Sequence, residues 1–192
     1  KNLNYNKKSL EEIETIFRNV DLMCNAINEK TGKNIDAEEM YLMVIFQLNN
    51  SSTTFEQINI ELLYNEMEDL ILKHIPLLFN SQTPVSLSRL KQDTNITLNI
   101  LSNTAFIKGS TLRKILTELE ISQYFDFQIY SDEVGLSKPN KEIFNILLEK
   151  INEIRNTKDI LLNEIIHIGD NPVADIYGAK SIGINTLQIN TN

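Results

Sequence analysis

One cysteine, Cys24, is all the chain has in 192 residues, so no internal disulfide is available. The simplest reading is a reducing, cytoplasmic compartment, with Cys24 as a core thiol on the apolar stripe of the first helix. No apolar run approaches the length of a bilayer span, which argues against a membrane role. Positive charge is scarce: 18 Lys and Arg stand against 26 Asp and Glu, a net charge of -8. That balance speaks against nucleic-acid binding through phosphates, and an anionic substrate would need a local cation. No signal-peptide pattern, internal repeat or low-complexity tract is visible. What remains is an ordinary globular composition, 42% hydrophobic and 23% charged, long enough for a sizeable core.

The stretch IIHIGDNPVADIYG, Ile165 to Gly178, organises the rest. A short apolar run ends in Gly169-Asp170-Asn171, and a helical pattern starts near Pro172, carrying Val173, Ala174 and Ala179 inward. Asp170 and Asp175 straddle this turn at the carboxyl end of a buried strand, the edge where open α/β sheets bind ligands. Two readings stand side by side. Asp170 can cap the helix, or the two acids can hold a hard cation such as Mg2+, which favours a few carboxylate oxygens and keeps several waters.

Upstream, Ser9 and Glu12 form a capping box before Leu10, Ile13, Phe17, Val20, Cys24 and Ile27, predicting a helix to about Thr31-Gly32. Asp36 and Glu39 repeat that signal before MYLMVIFQL, read as a buried helix. After a polar break, NNSSTT, a third helix carries Leu63, Met67, Leu70, Ile71 and His74 on one face, with His74 a helix-end residue rather than a ligand. The grammar then changes. A short helix over Val85 to Lys91 precedes a strand over Thr97 to Asn103. Gly109-Ser110 opens a helix, and Phe125 to Tyr130 is a second strand. Asn140 to about Ile151 is helical, and Ile165 to Ile168 and Gly183 to Ile189 complete four strands. Strands alternating with helices predict βαβ units around a parallel sheet. The expected division is a helical domain over 1–80 and an α/β core over 81–192.

Three polar constellations fall at the carboxyl ends of core strands: Ser102-Asn103, Lys138-Pro139, and Asp170 with Asp175. Singly, Ser102 and Asn103 could be turn formers and Lys138 a solvated loop lysine. Parallel strands, however, bring all three to one rim. Phosphoryl transfer wants such a set. A phosphate approaching a carboxylate is repelled by about 4 kcal/mol per charge pair at about 4 Å and an effective dielectric of about 20. A cation and a lysine cancel that repulsion while a hydroxyl and backbone N–H groups hold the phosphoryl oxygens.

The ordered set LSN, GLSKPNKEIF and HIGDNPVADIYGAKSIG resembles motifs two, three and four of the haloacid dehalogenase-like (HAD) hydrolase superfamily. The helical front half resembles its C1 cap domain. The resemblance implies a Rossmann-like parallel-sheet core under an all-helical C1-type cap. It implies that Ser102, with Asn103, binds the transferring phosphoryl group, that Lys138 balances its charge, and that Asp170 and Asp175 form the acidic end of a Mg2+ site. On this reading Ser102, Lys138 and Asp170 carry the catalysis of a Mg2+-dependent phosphohydrolase acting on a small phosphorylated metabolite through an aspartyl-phosphate. The GLSKPNKEIF and GDNPVAD stretches look most like the nucleotidase and sugar-phosphatase branch, which suggests a nucleoside monophosphate or sugar phosphate.

The family's first motif, an Asp-x-Asp strand end that supplies the nucleophile, has no match in the chain; Asp21 lies inside a helix and Asp126 at a strand start. In the family that strand is the central one, between the Ser102 and Asp170 strands. The expectation is therefore a gap in the sheet, and a protein longer than residues 1–192. Two alternatives follow: a 2-haloacid dehalogenase, which does not need the metal, and a non-catalytic binding protein of the same fold. Asp170→Asn is expected to abolish turnover, Lys138→Ala to lower it severely without unfolding the protein, and His167, read as packing, to be replaceable.

Overall fold

The computed structural model describes residues 3, 4, 6–50, 58–157 and 160–190. Helix α1 (Leu10–Thr31) opens on the expected box: Ser9 Oγ accepts from Glu12 N at 3.3 Å, and Glu12 Oε2 accepts from Ser9 N at 2.8 Å. It closes on Gly32, whose φ of 66° is the left-handed conformation glycine adopts freely. Its buried face is Val20, Cys24 and Asn28, whereas Leu10 and Ile27, expected on the stripe, stay exposed because α2 covers only the middle of the helix's apolar arc.

Helix α2 (Ala37–Leu48) starts where Glu39 Oε2 accepts from Asp36 N at 3.2 Å, and it brings Met40, Val44 and Leu48 onto Val20 and Cys24. The Cys24 thiol meets Met43 Sδ at 3.8 Å, and burial pushes its pKa up, as for a core thiol. In the polar break, residues 51–54 lie outside the described residues. Helix α3 (Ile60–Lys73) turns its buried face on Tyr64, flanked by Ile60, Leu63 and Met67, while Leu70 is exposed. The inward arc is thus rotated from the expected one, because Tyr64 packs on Tyr41. His74 ends α3, its N–H donating to the Leu70 and Ile71 carbonyls.

Helix α4 (Thr83–Lys91) begins two residues before the expected Val85, with Pro84 in its first turn. Strand β1 (Asn99–Ser102) then leads through α5 (Gly109–Glu118) to β2 (Phe127–Tyr130), and the two strands pair in parallel with Asn99 opposite Phe127. A one-turn helix α6 (Ser131–Val134), absent from the sequence reading, follows directly and leads to α7 (Lys141–Arg155), capped by Asn140. Strand β3 (Ile166–Gly169) passes through a π-helical turn at Pro172–Tyr177 and a short α8 (Gly178–Lys180) to β4 (Asn185–Gln188), parallel to it. β1, β2 and β4 are shorter than expected, whereas β3 keeps the expected length and begins one residue later. Just before β2, Asp126 takes part in the pairing: its carboxylate accepts from Leu98 N and Lys91 Nζ, while its backbone N–H donates to Leu98 O at 2.8 Å.

Helix α7 holds the halves together. Ile143, Phe144, Leu147 and Ile151 are buried against Leu101 and Ile129 on one side and Ala179 and Ile184 on the other. Each such side chain contributes roughly 1.5–3 kcal/mol. The β1–β2 and β3–β4 pairs do not join each other among the described residues. Between them lies a cavity of about 790 Å3, lined by β1 from Asn99 to Ser102 and by β3 from Ile166 to Gly169. Ile166 and Ile168 are more than half exposed, unusual in a parallel sheet, which is normally covered on both faces.

Candidate functional site

The cavity between the strand pairs ends at the carboxyl edges of β1 and β3, and Ser102, Lys138, His167, Asp170 and Asp175 all line it. The structure therefore gathers four of the five expected site residues around one space. The fifth, Asn103, stands behind it. Its Oδ1 accepts from Lys138 N at 2.8 Å and its Nδ2 donates to Lys138 O at 3.0 Å, so its amide fixes the lysine backbone. Ser102 Oγ turns to the Asn103 carbonyl at 3.0 Å. Asp21 and Asp126 lie away from this space; Asp21 accepts from Asn25 Nδ2 within α1.

Lys138 is 6% exposed, and its ammonium donates to Asp175 Oδ1 at 2.6 Å and to Leu101 O at 2.7 Å. The Lys138-Pro139 bond is cis. Asp175, also 6% exposed, is gripped from three sides: Lys138 and His167 Nε2 (3.1 Å) on Oδ1, and Asn171 N (3.0 Å) on Oδ2. Burial disfavours its charge. The His167 hydrogen bond, the Lys138 ammonium and the Asn171 N–H outweigh that and hold the carboxyl well below the usual carboxylate range. The fit leaves no room at Gly169, where a Cβ would fall on the Asp175 carboxylate.

Asp170 is the opposite case. It is exposed, and no hydrogen bond or ion pair engages its carboxylate among the described residues. Nor does it cap the following turn. Asn171 does, its Oδ1 accepting from Val173 N at 2.8 Å and Ala174 N at 2.9 Å. With capping taken over by its neighbour, Asp170 is left with an uncommitted carboxylate on the cavity wall. This donor suits a hard cation, which takes one or two carboxylates and fills the rest of its shell with water. Asp175, with three of about four acceptor positions used, is suited chiefly to holding Lys138. Among the described residues no group of three acids, histidines or cysteines forms a closed metal cage.

Two contributors escaped the sequence reading. His167 was expected to be packing; it does meet the Phe144 ring edge-on at 5.7 Å, but its Nε2 also hydrogen-bonds Asp175. The alternation of β3 carried the signal, because His167 and Gly169 share the face that the Asp175 turn folds over. Asn171, directly before Pro172, carries a cap signal equal to that of Asp170, and it is the residue that caps the turn.

The profile of the haloacid dehalogenase-like hydrolase family matches residues 8–189. Among curated relatives, the chain is 31% identical over 108 residues to the uncharacterized hydrolase C7D4.05 of Schizosaccharomyces pombe, covering 55% of this chain and 45% of that protein. It is 31% identical over 84 residues to the pyrimidine 5'-nucleotidase YjjG of Escherichia coli, covering 43% and 35%. It is 38% identical over 74 residues to the glyceraldehyde 3-phosphate phosphatase of Pyrococcus abyssi, covering 38% and 28%. These matches span less than half of each relative's length. Among solved structures, the HAD-hydrolase YfnB of Bacillus subtilis, bound to magnesium, superposes with a TM-score of 0.72 at 19% identity, covering 96% of this chain and 75% of that one. At that identity it attests the fold. Among the described residues, no helix is long and apolar enough to cross a membrane.

Proposed function

The chain belongs to the haloacid dehalogenase-like hydrolase family, and on that footing we propose that it forms the larger part of a Mg2+-dependent phosphohydrolase acting on a small phosphorylated metabolite. The observation that carries this reading is the division of labour between the two acids. Asp175 is buried and spent on Lys138, while Asp170 lines the same cavity with its carboxylate uncommitted. A cavity wall with one free acid and one anchored ammonium can accept a phosphate and a cation together. The nucleotidase and sugar-phosphate phosphatase relatives support a nucleoside monophosphate or sugar phosphate as substrate.

In this reading the Ser102 hydroxyl leaves the Asn103 carbonyl to donate to a phosphoryl oxygen. Lys138, its backbone clamped by Asn103, offsets the negative charge that gathers as the phosphoryl group transfers. Asp175 and His167 keep the ammonium in place. Bound Mg2+, held by Asp170 at the acidic end of the site with Asp175 behind it, would supply further charge neutralisation. The nucleophile is an aspartate on a strand that fills the gap between β1 and β3 and pairs with both, contributed from outside residues 1–192. The helical region over residues 1–80 acts as the cap that shields the site from water.

Purified intact protein is to be assayed for phosphate release from p-nitrophenyl phosphate and from nucleoside monophosphates, with Mg2+ and with chelator. Mg2+-dependent release supports the reading. Activity that survives the chelator favours the 2-haloacid dehalogenase alternative. Phosphate-ester binding without turnover points to the non-catalytic form.

A further inference from the structure

The turn between α1 and α2 lies against the loop that carries Lys138. Lys33 bridges antiparallel to Leu136, and Ser137 N donates to Gly32 O at 3.0 Å. Asn140 Nδ2 reaches the same carbonyl at 3.1 Å, and Asn34 N donates to Gly135 O at 3.3 Å. Beneath this seam Asn34 sends its side chain inward. Its Nδ2 donates to Asp36 Oδ1 at 2.9 Å, which fixes the amide so that Oδ1 faces the core. There Oδ1 accepts from Ser131 Oγ at 2.7 Å and from Ser137 Oγ at 3.5 Å.

The direction of the next links follows from counting protons. Ser131 has one hydroxyl hydrogen and gives it to Asn34, so the Ser131 oxygen acts as acceptor toward Thr104 N (2.7 Å) and Thr104 Oγ1 (3.0 Å), the latter therefore the donor. Ser131, Ser137 and Thr104 are all buried, so no bulk water replaces a lost partner. Thr104 follows Asn103, whose amide holds the Lys138 backbone, and Ser137 precedes Lys138. The chain of hydrogen bonds thus runs from the helical region to both loops that present Ser102 and Lys138, and Asn34 is where it crosses.

We infer that Asn34 is a positioning residue: its side-chain oxygen, received by Ser131 and Ser137, transmits the seating of the α1–α2 turn to the mutual alignment of the Ser102-Asn103 loop and Lys138. The inference rests on the proposed phosphohydrolase reading for its kinetic consequence, but its structural part can be judged alone. When the turn lifts, two buried hydroxyls lose their acceptor together, so the aligned state of the two loops is favoured only while the helices are seated.

The test is amide hydrogen exchange, residue by residue, on the intact protein carrying Asn34→Ala or Ser131→Ala. In Asn34→Ala the Thr104 and Lys138 amides should exchange about tenfold faster, the size of one lost hydrogen bond, while the Leu147 amide in α7 keeps its protection. Ser131→Ala should accelerate the same two amides, and the double variant should lose little more than either single one. With p-nitrophenyl phosphate, kcat should fall about tenfold in both while KM changes little, because alignment rather than binding is lost. Unchanged protection at Thr104 and Lys138, acceleration spread equally into α7, or fully additive losses would each overturn the inference. If Asn34→Ala fails to fold, Ser131→Ala reads the same amides and decides. If the unaltered protein shows no turnover, the phosphohydrolase reading fails while the exchange measurements still judge Asn34.

Discussion

Asp170 and Asp175 stand five positions apart, yet their surroundings are opposites. On the buried side of the cavity lining, Asp175 meets Lys138 and His167, every group answered by another. On the cavity wall Asp170 is exposed and answered by nothing among the described residues. The first arrangement is paid for by geometry: two charges leave water only because their contacts are close and each finds further hydrogen bonds. The second costs almost nothing in the folded state and leaves the carboxylate available to a ligand. Stability should therefore track one acid and chemistry the other, and four measurements can break or sharpen that contrast.

The largest stability effect is expected at the buried pair. Lys138→Ala leaves the Asp175 carboxylate buried without its cation, and breaking such a pair costs about 3–5 kcal/mol. This departs from the sequence-based expectation that the substitution spares the fold, because the structure buries the Lys138 ammonium against Asp175. Denaturant unfolding should show the loss; a change under about 0.5 kcal/mol would mean that the pair is as soft as a surface ion pair. The same site governs acid stability. The Asp175 carboxyl is held below its ordinary value, so its contribution is present above the unfolded-state pKa of about 3.9 and is lost as pH falls through the folded one. Melting temperature followed downward from pH 6 should decline below about pH 4, and Asp175→Asn should flatten that decline.

His167→Ala comes next. It removes a hydrogen bond to a charged group, worth about 1.5–3 kcal/mol, together with the edge contact on Phe144. If His167 were packing alone, His167→Phe would preserve stability; the structure predicts that it loses most of what alanine loses, because the phenyl ring donates nothing to Asp175.

The contrast also marks how far the sequence could be read. The capping boxes at Ser9 and Asp36, the glycine stop at Gly32 and the alternation of strands and helices after Phe79 are local signals, and each element they announce is present. The gathering of Ser102, Lys138, Asp170 and Asp175 was legible because parallel strands put all their carboxyl ends on one edge. What escaped depends on contacts distant in sequence. His167 looked apolar in context because its partner lies eight residues on, beyond a turn whose π-helical geometry no local pattern announces. The face of α3 was misplaced because Tyr64 is drawn inward by Tyr41 and by the Thr111 hydroxyl at 3.0 Å. Asn34 gave no signal at all, since the two hydroxyls that donate to its side-chain oxygen sit about a hundred residues downstream.

The smallest expected effect on stability is the most informative for function. Asp170→Asn changes an exposed side chain that neither caps the Pro172 turn nor pairs with a cation among the described residues, so the folded state should shift by less than about 0.5 kcal/mol. The amide keeps the shape and removes the charge that a divalent cation needs. Mg2+-dependent turnover should then fall by about a hundredfold or more, and calorimetric Mg2+ binding should weaken with it. A stable Asp170→Asn protein that turned over normally would remove Asp170 from the chemistry and leave the buried pair as structure alone. A marked loss of stability would show instead that Asp170, like Asp175, belongs to the scaffold, and the contrast between the two acids would collapse.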